Sequence, residues 1–450
     1  MLNNSKLNRR SFLRYGAMAA GAMALAACPA PGAPGAAPAA GGQAAAGAGN
    51  AAAGGAGQLE IFSWWTAGGE VEALNAMYEI FKKKYPGVEI QNAALAGGAG
   101  QGGNMKALLE TRMQGGQPPD SFQVHLGHEL IDSHVKAGRM EDLETFYKDE
   151  GLTDVFPKDL VDIASMDGKP WSVPVNIHRS NVLWYRTDKL EAAGIKEAPK
   201  TWDDLFAAAE TLKAKNIPAL AIAENEPGFC GHEFENVLVA TLGPDDYRAL
   251  FTGKLKWDDA KVTKCLETLN KALDYANSDY LSTSWGDITD RFMADTAPAM
   301  MIMGDWTHGV LKSKSFKNYK WAPAPGTEGI FIVLSDSFGL PKNAPHRENA
   351  LNFLRICGSK DGQDAFNPIK GSIAARTDAD KSKYDEYQLS AMEDFKKNTL
   401  VPSIQHGAAA KQSFVLDYDL AINILATKRD VKAAQAKLVQ AATDAGFGEA

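Results

Sequence analysis

The 450-residue chain is short of cysteine, of net basic charge and of long apolar runs. Its four cysteines stand at positions 28, 230, 265 and 357, too few and too widely spaced to form a disulfide framework. The last three are an odd set that leaves room for one bridge, and buried free thiols are the favoured expectation there. Forty-seven Lys and Arg face 55 Asp and Glu, for a formal net charge of −8. That balance lacks the basic footprint that nucleic-acid binding needs. No run approaches the ~20 apolar residues of a membrane-spanning helix. Residues 29–57 contain only Pro, Ala, Gly, Gln and Asn. Nothing there can build a core, and a disordered tether is expected.

What is present begins at the front end. Asn8-Arg9-Arg10-Ser11-Phe12-Leu13-Arg14 resembles a twin-arginine export motif, and a weakly apolar stretch runs from Tyr15 to Ala27. Leu25-Ala26-Ala27-Cys28 resembles a lipobox, where a leader is cut before a lipidated cysteine. The expectation is a leader over 1–28, a lipid on Cys28 as the only membrane attachment, and a body tethered to the outer face of the cytoplasmic membrane. The twin-arginine route carries proteins that have already folded.

The body, from residue 58 on, is long enough for two or three domains. Leu59–Ser63, Val88–Gln91 and Asp120–His125 read as strands. Helices over roughly 70–84, 104–114 and 127–137 alternate with them. That alternation implies an α/β architecture with a largely parallel sheet. Residues 200–298 read as mostly helical, strands return at 299–303, 320–322 and 331–335, and helices dominate after 346. Thr201 or Asp203 can cap the helix that follows it.

Several segments carry a family resemblance. They are Glu79-Ile80-Phe81-Lys82-Lys83-Lys84-Tyr85-Pro86-Gly87-Val88-Glu89-Ile90; Gly168-Lys169-Pro170-Trp171-Ser172-Val173-Pro174 with Leu183-Trp184-Tyr185-Arg186; Pro199-Lys200-Thr201-Trp202; and Ala299-Met300-Met301 with Gly304-Asp305-Trp306. In this order they resemble the extracellular solute-binding proteins of ABC sugar importers, over the whole body. Ser63-Trp64-Trp65, Phe122-Gln123-Val124-His125, Val173 to Asn181, Ser335 to Gly339, Lys370-Gly371-Ser372-Ile373 and Gln405-His406-Gly407 look closest to the glucose/galactose-binding branch.

The resemblance implies a two-lobed, type II periplasmic-binding-protein fold with hinge crossovers and a ligand cleft between the lobes. It places lobe 1 at 58–172 plus 299–357 and lobe 2 at 173–298 plus 358–450. It implies a monomer that is not an enzyme, captures a monosaccharide (glucose or galactose) and hands it to importer permease subunits. No cofactor, metal or nucleic acid is expected.

Trp64 and Trp65 close the first strand, where open α/β sheets bind ligands, and an indole suits the apolar face of a pyranose. Adjacent positions point to opposite sides, so one of the pair can be core. Glu70 opens the first helix, where an acid also suits the helix dipole. His125 ends a strand, and imidazole both donates and accepts; Gln123 points to the same side two residues earlier. His128 and Glu129 follow His125, but a zinc site needs three or four convergent ligands and no known spacing supplies them. The resemblance implies sugar-binding roles for Asp336, Lys370 (placed after an Asn367-Pro368 turn) and His406, with Trp285 and Trp306 as further aromatic walls.

Three alternatives stay open. Gly98-x-Gly100-x-x-Gly103 lies between a strand and a helix, as in dinucleotide-binding proteins, so an exported oxidoreductase is one; no acid follows to hold a ribose. A glycosidase is another, with Glu70 and Asp336 as its carboxyl pair. A receptor for a disaccharide or longer sugar is the third.

Overall fold

The computed structural model describes residues 57–66, 68–93, 102–225 and 228–448, with the side chains of 102–104 excepted. The expected leader, Cys28 and the tether up to 56 lie outside the described residues, as do Gly98 and Gly100 of the glycine-rich stretch.

The principal elements in chain order start with β1 (Gln58–Phe62), α1 (Gly68–Lys84), β2 (Glu89–Asn92), α2 (Gly102–Gln114) and β3 (Ser121–His125). Next come β4 (Ser172–Pro174), β5 (His178–Arg179), β6 (Val182–Arg186), α3 (Trp202–Ala214), α4 (Phe229–Phe251) and α5 (Trp285–Phe292). The remainder is β7 (Met300–Ile302), α6 (Trp306–Ser313), β8 (Tyr319–Pro323), β9 (Ile330–Leu334), β10 (Asp336–Gly339), α7 (Arg347–Gly358), α8 (Lys360–Lys370), β11 (Thr399–Pro402), α9 (Gln412–Lys428) and α10 (Val431–Asp444).

The fold is α/β in two lobes. The first lobe holds a five-stranded sheet in the order β2-β1-β3-β10-β4. β1 pairs in parallel with β2 and β3, but β10 runs antiparallel to both β3 and β4. The sheet is therefore mixed rather than largely parallel. β10 follows β9 after the single residue Ser335, so the chain passes from one sheet to another with no crossover helix between them. Two three-stranded sheets, β8-β6-β7 and β11-β9-β5, complete the set of larger sheets.

Apolar packing forms two large clusters, the first of which runs on into β6, β7 and β9 through Trp184, Met301 and Phe331. One buried cluster joins Leu59, Ile61, Leu74, Phe81, Phe338, Phe353 and Phe366. A second joins Leu205, Phe234, Leu266, Tyr418, Ile422, Leu425 and Leu438. β7 and β9, expected in lobe 1, pair instead with β6, β5 and β11. α8, expected in lobe 2, packs on α1. We propose lobe limits that follow these contacts, with the chain rejoining the first lobe near Ser335 and keeping it through α8.

Local chemistry explains several element ends. Thr201 Oγ1 accepts the Asp204 amide and Asp204 Oδ2 accepts the Thr201 amide, a capping box that starts α3. α8 runs through Pro368, so the expected turn at Asn367-Pro368 is instead the last helical turn. Gly371, at φ 90°, ends the helix in the left-handed region. A Cβ at Gly309 in α6 would meet the Lys370 carbonyl oxygen at 2.3 Å, so the bare glycine lets α6 press on the end of α8 and fix Lys370. The expected helix over 127–137 is a short helical turn, His128–Leu130, continued by a wider π-type turn, Ile131–Val135. Cys230, Cys265 and Cys357 are buried free thiols. Among the described residues no helix is long and apolar enough to cross a membrane.

Candidate ligand-binding site

The register of β3 and β10 sets the geometry, because Asp336 lies directly opposite His125 at the carboxyl end of β3. Asp336 is buried and accepts from Gln123 Nε2 at 3.0 Å and Asn176 Nδ2 at 2.9 Å. His178 Nε2 lies 3.5 Å from it. On its other side His178 Nδ1 bonds Asp305 Oδ1, and Asp305 Oδ2 accepts from the Arg179 amide at 3.0 Å and the Tyr387 hydroxyl at 3.1 Å. Burial pushes the Asp336 carboxyl up, but the bond and charge of His178 and the charges of Lys370 and His125 outweigh it and hold it well below the usual carboxylate range. Burial disfavours the His178 imidazolium, yet the charge and bond of Asp305 raise its pKa. The cluster is thus an ionised carboxylate supported from behind by donors.

Lys370 is 2% exposed and donates to Glu70 Oε1 at 2.9 Å. The two residues lie 300 positions apart and meet because α8 packs on α1. Lys370 Nζ also lies 5.6 Å from the Trp65 ring centroid. On the opposite wall Glu129 Oε2 bonds both His125 Nδ1 at 2.7 Å and Lys106 Nζ at 2.9 Å, and Lys106 lies 5.2 Å from the Trp64 ring centroid. Burial raises the Glu129 carboxyl, but the charges of Lys106 and His125 prevail and lower it to about 2. His128 turns to a different acid, Asp132, at 3.1 Å. His125 and His128 therefore do not converge on one point.

His406 closes the cleft from the β11 side, its ring 5.2 Å from His125 and 5.1 Å from Trp306. Burial first, and then the positive charges of His125, His232 and Lys106, hold its pKa well below the ordinary histidine value. Its Nδ1 lies 2.9 Å from Ser403 Oγ, which donates to Glu235 Oε2 at 2.9 Å. Glu235 also accepts the Gln405 amide at 3.1 Å. Burial raises the Glu235 carboxyl to about 8, with the Gln405 amide and Ser403 hydroxyl opposing. The fold thus keeps a proton that the unfolded chain releases from about 4.5 upward. The resulting stability is full below about 4.5 and is lost as pH rises through about 8. Glu235→Gln is expected to remove this loss, on the order of 4 kcal/mol between pH 4.5 and 8 at ~1.4 kcal/mol per pKa unit. Urea unfolding of both proteins at the two pH values checks it: a variant as sensitive as the parent contradicts the assignment.

One cavity of about 370 Å³ collects these groups. Trp64, Trp65, Glu70, His125, Trp285, Trp306, Asp336, Lys370 and His406 all line it. Gln123 does not line it; it lies beneath, accepting from Ser63 Oγ at 2.7 Å and donating to Asp336. Of the tryptophan pair, Trp65 is buried against Phe338 and Phe366, whereas Trp64 is partly exposed.

A family model described as bacterial extracellular solute-binding protein matches residues 67–364. The chain belongs to the bacterial extracellular solute-binding proteins. An uncharacterized ABC transporter extracellular-binding protein of Pyrococcus horikoshii is 36% identical over 388 residues, 85% of this chain and 87% of that one. A probable sugar-binding periplasmic protein of Brucella suis is 31% identical over 363 residues, 78% and 83% of the two chains. The solved structure of a chitin oligosaccharide binding protein superposes with TM-score 0.76 over 87% of this chain and 99% of that one; at 19% identity it supports the fold alone.

Membership makes this solute-binding protein a receptor rather than an enzyme, which sets aside the oxidoreductase and glycosidase alternatives. Its cavity also holds Glu129, weighed above only as a metal ligand, and Lys106, His178, Phe229, Gln405, Gln412, Val415, Leu416 and Asp419, none of them given a role from the sequence. His178 and Gln405 stand inside motifs that carried the resemblance, so a signal for them existed. Burial raises the Asp419 carboxyl to about 7, against the opposing bond of Gln405.

Proposed function

We propose that this solute-binding protein captures a hexose unit, glucose or galactose, in the cavity beside Asp336 and delivers it to the permease of an ABC importer. The reading includes twin-arginine export, a lipid on Cys28 and a monomeric receptor on the outer face of the membrane. The observation that carries it is convergence: nine residues drawn from eight separate stretches of sequence line one cavity. Their chemistry suits a neutral polyol. Tryptophan faces can stack on sugar C–H groups, and an ionised carboxylate and a lysine can bond vicinal hydroxyls. The Brucella relative, described as a probable sugar-binding protein, supports the same class. Closure of the lobes would bury the sugar, and a ligand that prefers the closed state shifts the population toward it.

A thermal-shift screen of the full chain against neutral mono- and disaccharides tests the reading. At least one is expected to raise the melting temperature in a saturable way, as a ligand that binds only the folded state must. A set of flat responses contradicts it. Lys370→Ala is expected to weaken the best ligand by about 1.5–3 kcal/mol, since a charged donor is lost. Calorimetry checks this; unchanged affinity moves the site elsewhere.

A further inference from the structure

His178 stands between two acids. Its Nδ1 bonds Asp305 Oδ1, and its Nε2 lies 3.5 Å from Asp336 Oδ2. The side chain is 1% exposed, and Nε2 is buried without a firm hydrogen bond among the described residues. Three separate sheets bring the groups together: β5 carries His178, β10 carries Asp336, and Asp305 follows β7. Asp305 is fully buried and does not line the cavity, whereas His178 and Asp336 both do. Asp305 therefore acts on a bound ligand only through His178.

This placement fixes the hydrogens on the ring. A neutral imidazole has one N–H and one bare lone pair. With its hydrogen on Nδ1, the lone pair of Nε2 would face an oxygen of Asp336. With its hydrogen on Nε2, the lone pair of Nδ1 would face Asp305. Either neutral form sets acceptor against acceptor in a buried place, where an unmatched polar group is costly. Only the imidazolium offers a hydrogen to both acids. Asp305 is set up for this: its Oδ2 accepts from the Arg179 amide at 3.0 Å and the Tyr387 hydroxyl at 3.1 Å, which leaves Oδ1 for the ring. Burial, and then the charge of Lys370 at the end of α8, oppose the imidazolium; the charge and bond of Asp305, with help from Asp336, prevail. The Arg179 guanidinium, next in β5, turns to Asp394 at 2.6 Å. From α6, Trp306 offers His178 an uncharged ring at 5.7 Å, and His232 of α4 packs on that same ring at 5.6 Å.

We propose that Asp305 is a positioning residue for sugar capture: it holds His178 with a hydrogen on both ring nitrogens and with its Nε2–H directed at Asp336. The carboxylate that meets the sugar is then set by a charged partner as well as by the amides of Gln123 and Asn176. Loss of that charge would release Asp336 from its strongest neighbour. With Asp305 in place the proton is hard to lose, so His178 adds no pH dependence to capture between about pH 5 and 8, where an ordinary histidine discharges. The effect on affinity rests on the sugar-binding reading above; the state of His178 does not.

Two measurements on the full chain test it, each comparing the parent with Asp305→Asn, which keeps the shape and removes the charge. The first is NMR of the histidine ring nitrogens in unliganded protein between about pH 5 and 8, with His178 assigned by the signal missing from His178→Gln. In the parent both His178 nitrogens are expected to carry hydrogen throughout, and in Asp305→Asn one is expected to lose it within that range. A bare His178 nitrogen in the parent at neutral pH overturns the proposal, whether or not the variant folds. The second is calorimetric titration with the neutral sugar that gives the largest thermal shift. Asp305→Asn is expected to bind about ten-fold more weakly than the parent at the alkaline end, the size of one lost charged hydrogen bond, and about two-fold more weakly at the acid end, where His178 regains its charge. A gap that is the same at both ends, or no gap, makes Asp305 a structural residue and overturns the positioning role. A folded parent that binds no sugar overturns the sugar-binding reading and the affinity role with it, while the ring-nitrogen signals still decide whether Asp305 sets the state of His178.

Discussion

Asp336→Ala is expected to weaken binding of the preferred sugar by about 1.5–3 kcal/mol, roughly 10–150-fold, and to destabilise the unliganded protein by ~3–5 kcal/mol. The two effects have one cause. Asp336 is a buried carboxylate that takes donors from Gln123 and Asn176, and the positive charges of His178 and Lys370 act on it. Removing it leaves two buried amide donors unmatched and strips His178 of one of its two acidic neighbours. It also removes the acceptor best placed, opposite His125, to take two neighbouring hydroxyls. Asp336→Asn separates the terms: it keeps the shape and loses the charge, so affinity should fall while stability recovers in part. Calorimetry and urea unfolding read both. A loss of stability with intact affinity would make Asp336 purely structural.

The adjacent tryptophans are expected to part company on substitution. Trp65→Ala should cost ~3–5 kcal/mol of stability, the usual effect of emptying a large aromatic site in a core. Trp65 is 1% exposed, with its ring centroid 5.0 Å from that of Phe366 and 5.9 Å from that of Phe338. Trp64 is partly exposed, packs beside His125 and lies under Lys106. Trp64→Ala should therefore change unfolding by much less and weaken sugar binding by more. Denaturant unfolding alongside ligand titration checks the split. Equal stability losses would contradict the assignment of Trp65 to the core.

How much of this was legible in the sequence depended on whether the signal was local. The alternation β1-α1-β2-α2-β3 was readable to within a residue or two, because turns, caps and apolar periodicity act over short spans. Glu70 in the first turn of α1 and the Thr201 cap belong to this class. Nine of the candidate residues taken from motifs line one cavity. Non-local facts were not readable. The pairing of β7 with β6 spans more than a hundred residues. The Glu70–Lys370 ion pair depends on helix packing and on the bare Gly309. Gln123 has the alternation of a ligand-facing residue, yet its amide supports Asp336 from below.

The central claim is that the cavity beside Asp336 captures a sugar, and four tryptophans line that cavity to report on it. The most direct measurement is tryptophan fluorescence of the full chain titrated with the sugar that gives the largest thermal shift, run in parallel on Asp336→Asn. A saturable, one-to-one change in the parent, displaced at least ten-fold to higher concentration in the variant, is the predicted result. The same titration midpoint in both proteins, or no saturable change in the parent, would contradict the account.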